Sequence, residues 1–164
     1  MTTQFTDLNL RPELMQAIAL LGYTEPTPIQ SALIPVMLTG ADVIGQAQTG
    51  TGKTAAFALP ILNNLEQGDR HVQALVLCPT RELALQVADA INDFGKVQEV
   101  RVQAVYGGQP YGPQISRLNR GVDVVVGTPG RLIDLLDRNA LNLSQVRTVV
   151  LDEADEMLSM GFVE

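Results

Sequence analysis

Short apolar runs alternate with stretches of helical periodicity along most of the chain. Runs at Asp42–Gln46, Val72–Cys78, Arg101–Tyr106, Asp123–Gly127 and Thr148–Asp152 are rich in Val, Ile and Leu, with turn residues or a proline close by. That composition predicts strands. Leu75-Val76-Leu77, Val124-Val125-Val126 and Val149-Val150-Leu151 are continuously apolar, the pattern of strands buried on both faces of a parallel sheet. Between the runs, Leu83, Val87 and Ile91 with Ala84, Ala88 and Phe94 make one apolar helix face, and Gly95 supplies the stop. Leu132, Leu135 and Leu136 repeat the pattern after Pro129. Two helical stretches come earlier. One runs from Pro12 through Leu14, Ile18 and Leu21 to Gly22, and the other follows Pro26-Thr27-Pro28 through Ile29, Leu33 and Met37. Strand–helix alternation of this kind predicts an α/β domain with a mostly parallel sheet.

Composition narrows what such a domain can do. The 164 residues are 46% hydrophobic and 18% charged, which fits one globular domain and excludes a disordered or fibrous chain. Eleven Lys and Arg against 18 Asp and Glu give a net charge of −7, the wrong sign for a protein that binds nucleic acid through a broad basic surface. With no Trp, 3 Tyr and 4 Phe, a stacking platform for single strands is also excluded. Any nucleic-acid contact must use a small site. The single cysteine, Cys78, and single histidine, His71, rule out an internal disulfide and a Cys- or His-clustered metal site. Cys78 is expected to be buried, His71 exposed, and Met157, Met160 and Phe162 to pack against the core. The first residues carry no secretory signal, and the apolar run Ala55–Leu62 is far shorter than the ~20 residues of a membrane span. The expectation is a soluble, cytoplasmic chain with no membrane partner.

The sharpest local signal is Ala47-Gln48-Thr49-Gly50-Thr51-Gly52-Lys53-Thr54, between a predicted strand and a predicted helix. That is the context of a phosphate-binding loop, although Ala47 stands where the usual pattern has its first glycine. Backbone N–H groups can surround a phosphate only where side chains do not obstruct, hence Gly50 and Gly52. The helix that follows turns its partly positive N-terminus toward the anion. Lys53 can reach the terminal phosphates, and the Thr54 hydroxyl can ligate Mg²⁺.

A phosphate loop needs a carboxylate for its magnesium. Asp152-Glu153-Ala154-Asp155 ends a predicted strand, where ligand sites of α/β sheets lie. Asp152 is expected to hold Mg²⁺ through water. Glu153 can take the proton of the attacking water.

Together these residues resemble the DEAD-box RNA helicases, and residues 152–155 spell the family name. The resemblance runs over essentially the whole chain. It implies that residues 1–164 are a RecA-like ATP-binding helicase domain, with helices on both faces of its sheet and a Q-motif segment at 5–30. Phe5 and Gly22-Tyr23-Thr24-Glu25-Pro26-Thr27-Pro28-Ile29-Gln30 are similar to that motif, which implies that Gln30 hydrogen-bonds adenine and Tyr23 stacks on it. Pro79-Thr80-Arg81-Glu82-Leu83 is similar to motif Ia, Gly107-Gly108 to the double-glycine motif and Thr128-Pro129-Gly130-Arg131 to motif Ib. Those segments are expected to hold the RNA backbone, since helix N-termini, bare glycine amides and an arginine all bind phosphate. Backbone contacts carry little sequence specificity. Ala154 and Asp155 are expected to couple to a second RecA-like domain.

The family's first domain ends on a Ser-Ala-Thr motif that this sequence does not contain. The resemblance therefore implies a first domain incomplete at its C-terminus, with the second absent, and a sheet edge through which the chain can self-associate. Two functions follow. The chain is either half the active site of an RNA-dependent ATPase that separates short duplexes, or a module that binds adenine nucleotide without turnover.

Overall fold

The computed structural model describes residues 3–48, 50 and 52–161. Thr49, Thr51 and Phe162 lie outside them. The chain divides into two compact units, Met1–Leu65 with Ala90–Val100, and Glu66–Asp89 with Arg101–Glu164.

The first unit is helical. A 3-10 turn, Phe5–Leu8, precedes α1 (Pro12–Leu20), α2 (Pro28–Leu38) and α3 (Lys53–Asn63). Proline opens both α1 and α2, where its missing N–H costs nothing. After α1, Gly22 adopts φ +82° and the N–H groups of Gly22 and Tyr23 turn back to the carbonyls of Ala19 and Ile18. This is a Schellman stop, and a side chain at Gly22 would strain it. Every residue of α3 from Ala55 to Leu62 is buried, as an all-apolar helix requires. Arg11 ties the start of α1 to the end of α3, donating from its backbone N–H to Asn63 Oδ1 at 2.7 Å and from its guanidinium to the Leu65 carbonyl at 3.1 Å.

Asp42–Gln46 is not a strand. The segment runs past α2, with the Gly45 Cα facing Ile29 and Leu33, while Val43 and Ile44 are 42% and 97% exposed. Its β-branched pair has the composition of a strand, but a strand also needs a neighbour for its backbone groups. No strand pairs with it among the described residues.

The second unit holds a parallel four-stranded sheet of β1 (Ala74–Leu77), β2 (Val102–Val105), β3 (Val124–Gly127) and β4 (Thr148–Leu151), in the order β2-β3-β1-β4. Helix α4 (Arg81–Phe94) leads from β1 to β2, α5 (Tyr111–Arg120) from β2 to β3, and α6 (Pro129–Asp137) from β3 toward β4. A short α7 (Ala154–Ser159) follows β4. Leu75, Val105 and Val125 form one buried face with Leu132 and Leu135 of α6, and Ile115 and Leu118 of α5 pack against it. Ala74, Val76, Val124 and Val126, which point the other way along β1 and β3, are buried as well. Both central strands thus follow the two-face expectation.

The edge strand β4 departs from it. Val149 and Leu151 are 57% and 56% exposed. β4 pairs only with β1, and no element among the described residues covers this face at its edge. Cys78 is buried and His71 exposed. Met157 is buried, but Met160 is 50% exposed rather than packed in the core.

Candidate functional site

In the first unit two Q-motif residues, Thr27 and Gln30, meet the phosphate loop at Gly52. The Thr27 side chain caps α2, and Gln30, three residues on, closes a capping box by accepting the Thr27 N–H at 3.0 Å. The other end of the Gln30 carboxamide donates through Nε2 to the Gly52 carbonyl at 3.1 Å, and the residue is fully buried. One polar side chain therefore ties the α2 start to the residue that opens α3. Each carboxamide atom keeps a second bonding direction. Gly52 itself adopts φ +81°, and a Cβ there would lie 2.4 Å from Gln30 Nε2, so the position requires glycine twice over. Gly50 is also in the left-handed region, at φ +83°.

Lys53 and Thr54 begin α3 and are half-buried, and Gln48 is exposed. Tyr23 is 43% exposed, with its ring 5.4 Å from that of Phe94 at a 51° tilt. Phe5 is placed differently from Tyr23. It is 4% exposed and belongs to the core of the unit rather than to an open face.

In the second unit the strand register brings four motif segments to one edge of the sheet. Leu77 of β1, Val105 of β2, Gly127 of β3 and Leu151 of β4 stand level in a single row. Each is followed within two residues by one of the singled-out segments. A Cβ on Gly127 would fall 2.6 Å from Val105 Cγ2 and 2.9 Å from Leu132 Cγ, so glycine here allows β3 to pass between β2 and α6.

The segments also touch one another. The Thr128 N–H donates to the Val105 carbonyl at 3.1 Å, and the Arg81 guanidinium lies over the Tyr106 ring at 5.0 Å. Thr80 accepts the Leu83 N–H at 3.2 Å and so caps α4. Pro79 is buried, Arg81 and Glu82 are exposed, and so is Gly130. Around Gly107 and Gly108 nothing lies within 4 Å of where a Cβ would stand, and Gly108 adopts φ +78°. Their backbone faces open space.

Arg131 does not stand with these exposed groups. It is 7% exposed, and its guanidinium donates to the Gln109 carbonyl and to Gln114 Oε1. Arg131 is therefore a buried anchor under the double-glycine loop.

Asp152 extends the β4–β1 ladder by one bond, its N–H donating to the Leu77 carbonyl at 2.9 Å, and is 3% exposed. Glu153 follows in a left-handed conformation, φ 52° and ψ 52°, as the N-cap of α7. A non-glycine residue there stores about 1–3 kcal/mol of strain, a pattern found at functional sites. Ala154 and Asp155 are exposed. A buried carboxylate at a strand's end and a hydroxyl in the first turn of a helix are both oxygen donors of the kind a hard cation such as Mg²⁺ takes.

A family profile described as DEAD/DEAH box helicase matches residues 27–164. The chain belongs to that family. It is 55% identical to the ATP-dependent RNA helicase DeaD of Escherichia coli K12 over 99% of its length, and 53% identical to the RNA helicase CrhR of Synechocystis over its whole length. It spans only 26% and 33% of those two proteins. Among solved structures, it superposes on a DEAD box protein from Methanococcus jannaschii with a TM-score of 0.93 at 42% identity, covering 99% of this chain and 45% of that one. The RecA-like α/β fold of DEAD-box proteins is therefore the fold of this chain. Among the described residues, no helix is long and apolar enough to cross a membrane.

Sequence reading missed four participants: Gln103, Gln109, Tyr111 and Gln114. It missed α5 itself, because Gly112 and Pro113 interrupt the pattern at the helix start. The available signal was Gln114, a polar residue at helical spacing from the apolar Leu118 and next to Ile115.

Proposed function

We propose that this chain is the nucleotide-binding half of an ATP-dependent RNA helicase, holding ATP through its Q motif and phosphate loop and the RNA backbone through the carboxyl edge of its sheet. The level row of strand ends carries the reading, because it gathers four motif segments where an α/β sheet binds ligands. Gly50, Gly52 and Lys53, with Thr49 and Thr51, would surround the phosphates. Gln30 and Tyr23 would meet the adenine, with Phe5 backing the motif from the core.

Thr54 and Asp152 would hold Mg²⁺, which when bound offsets charge on the phosphates. Glu153, strained at the start of α7, would accept the proton of the attacking water. Pro79–Glu82, Gly107, Gly108 and Thr128–Gly130 would present amides, hydroxyls and the Arg81 guanidinium to RNA phosphates. Turnover and strand separation would belong to a protein in which this chain works with a second RecA-like domain, coupled through Ala154 and Asp155. A cytoplasmic location fits this role.

Calorimetric titration of the chain with ADP and with GDP tests the first half of the proposal. Adenine-selective binding that Lys53→Ala weakens is the expected result, and equal affinity for both nucleotides would overturn it. Fluorescence anisotropy with labelled single-stranded RNA tests the second half.

A further inference from the structure

The double-glycine loop is held from beneath by Arg131 of the motif Ib segment and by two side chains outside the named motifs, Gln103 and Gln114. Gln103 on β2, Gln114 on α5 and Arg131 on α6 are 2%, 8% and 7% exposed. Gln103 Nε2 donates to the Gln114 carbonyl at 3.0 Å, which fixes α5 against β2. Gln114 then reaches the loop itself, with Nε2 donating to the Tyr106 carbonyl at 3.3 Å. Its Oε1 accepts from Arg131 at 3.1 Å, and the same guanidinium donates through both terminal nitrogens to the Gln109 carbonyl at 3.0 Å. Tyr106 and Gln109 are the residues on either side of Gly107-Gly108. The clamp thus grips the loop at both ends and leaves the two glycines untouched.

Tyr111 secures the clamp from the side. The guanidinium groups of Arg131 and Arg138 lie over its ring at 4.0 and 3.8 Å, and its hydroxyl donates to Asp134 Oδ2 at 2.8 Å. Two adjacent glycines with no neighbours have more conformations to lose on binding than any other pair. Amides that must meet a phosphate bind well only if that freedom is removed beforehand.

We propose that Gln114 is a positioning residue for RNA binding. With Arg131 it pre-orders the double-glycine loop, and Arg131 acts on RNA through that loop without touching a phosphate. The proposal rests on the RNA-binding reading above and goes beyond it in assigning both roles.

The test measures anisotropy of a labelled oligouridine against the wild-type chain, Gln114→Met, Arg131→Gln and Arg131→Lys, each over a range of salt. Met keeps the volume of Gln114 while removing its bonds to the Tyr106 carbonyl and to Arg131. Expected is a loss of RNA affinity of about tenfold in Gln114→Met, with ADP affinity unchanged. The plot of log affinity against log salt separates the two roles of Arg131. Losing a direct phosphate contact lowers the slope by about 0.7 for a single strand, whereas losing a positioning residue leaves the slope at the wild-type value. Lys would rescue a point-charge contact but cannot serve the Gln109 carbonyl and the Gln114 carboxamide in the same way.

Unchanged affinity in Gln114→Met, a reduced slope in Arg131→Gln or full rescue by Lys would each overturn the proposal. A wild-type chain that bound no RNA would overturn the RNA-binding reading, and this proposal with it. If Gln114→Met fails to fold, Tyr111→Phe decides, since it removes only the bond to Asp134. Faster amide hydrogen exchange at Gly107 and Gly108 is then expected, and unchanged exchange would refute the clamp.

Discussion

Gln30 and Gly52, 22 residues apart, are joined by one hydrogen bond from a carboxamide to a main-chain carbonyl, and the same carboxamide caps α2. The residue expected to read the base is thus mechanically tied to the loop expected to hold the phosphates. Gln30→Ala removes two buried hydrogen bonds at once. It should lower stability by about 1–3 kcal/mol and, in calorimetric titrations, bring ADP and GDP affinities together. Thermal melts read the first effect. A variant as stable and as selective as the wild type would detach the Q motif from the phosphate loop.

Lys53→Ala should leave the melting temperature near that of the wild type, since Lys53 is half-buried in the first turn of α3. Its effect should fall on ADP binding, weakened about tenfold or more, because a charged hydrogen bond contributes about 1.5–3 kcal/mol. Calorimetry on both proteins checks this.

The two glycines of the exposed loop should behave differently. Gly107→Ala meets open space without a positive φ, so the protein should fold unchanged. Gly108→Ala must hold a methyl group at φ +78° and should cost about 1 kcal/mol. RNA affinity should fall in both. Chemical denaturation beside anisotropy separates the strain from the lost contact.

Asp123 accepts from the Arg101 backbone N–H at 2.8 Å and from its guanidinium at 2.9 Å, and Arg101 also donates to the Asp69 carbonyl. The hydrogen bond to Asp123 raises the Arg101 pKa, which burial lowers to a lesser extent. A raised basic group contributes stability that is complete below its unfolded pKa and is lost only above its folded one. For arginine both lie far above neutrality, so the Arg101 contribution should stay flat from pH 6 to pH 9. Asp123→Asn weakens the charge-assisted bonds and should cost about 1–3 kcal/mol at every pH in that window, measured by urea unfolding.

Self-association is expected along β4. Its outer edge pairs with no strand among the described residues, and Val149 and Leu151 are more than half exposed. Such an edge invites another chain, and a charge on it discourages pairing. Light scattering at rising concentration should show association in the wild type and less in Leu151→Lys. A wild-type chain that stays monomeric at millimolar concentration would show that this edge does not recruit partners.

Much of this architecture was legible in the sequence because burial leaves a mark on composition. The continuously apolar runs at 75–77 and 124–126 became the two central strands, and the proline and glycine punctuation of α1 became its start and its Schellman stop. Where reading failed, the deciding partner lay elsewhere in the chain. Val43 and Ile44 look like strand residues but have no strand beside them among the described residues, and Val149 and Leu151 look like core but stand at an edge. In the site, motif spacing located the segments, but it could not tell an arginine that meets solvent from one buried beneath a loop. Arg81 and Arg131 occupy similar turn-to-helix positions in the sequence. The placement of Gln109, Tyr111 and Gln114 sends the second one inward.

The level row of Val105, Gly127, Leu77 and Leu151 also acts as a ruler. Neighbouring strands stand about 4.8 Å apart, so the segments after β2, β3 and β1 are set on a pitch fixed by backbone hydrogen bonding rather than by side chains. A polymer laid across that edge meets residues 107–108 first, then 128–130, then 79–82, an order that differs from the order of synthesis. Deleting one residue from β3 would draw its mark back by about 3.3 Å and turn its side chains over. The spacing is then lost even though every motif residue is still present.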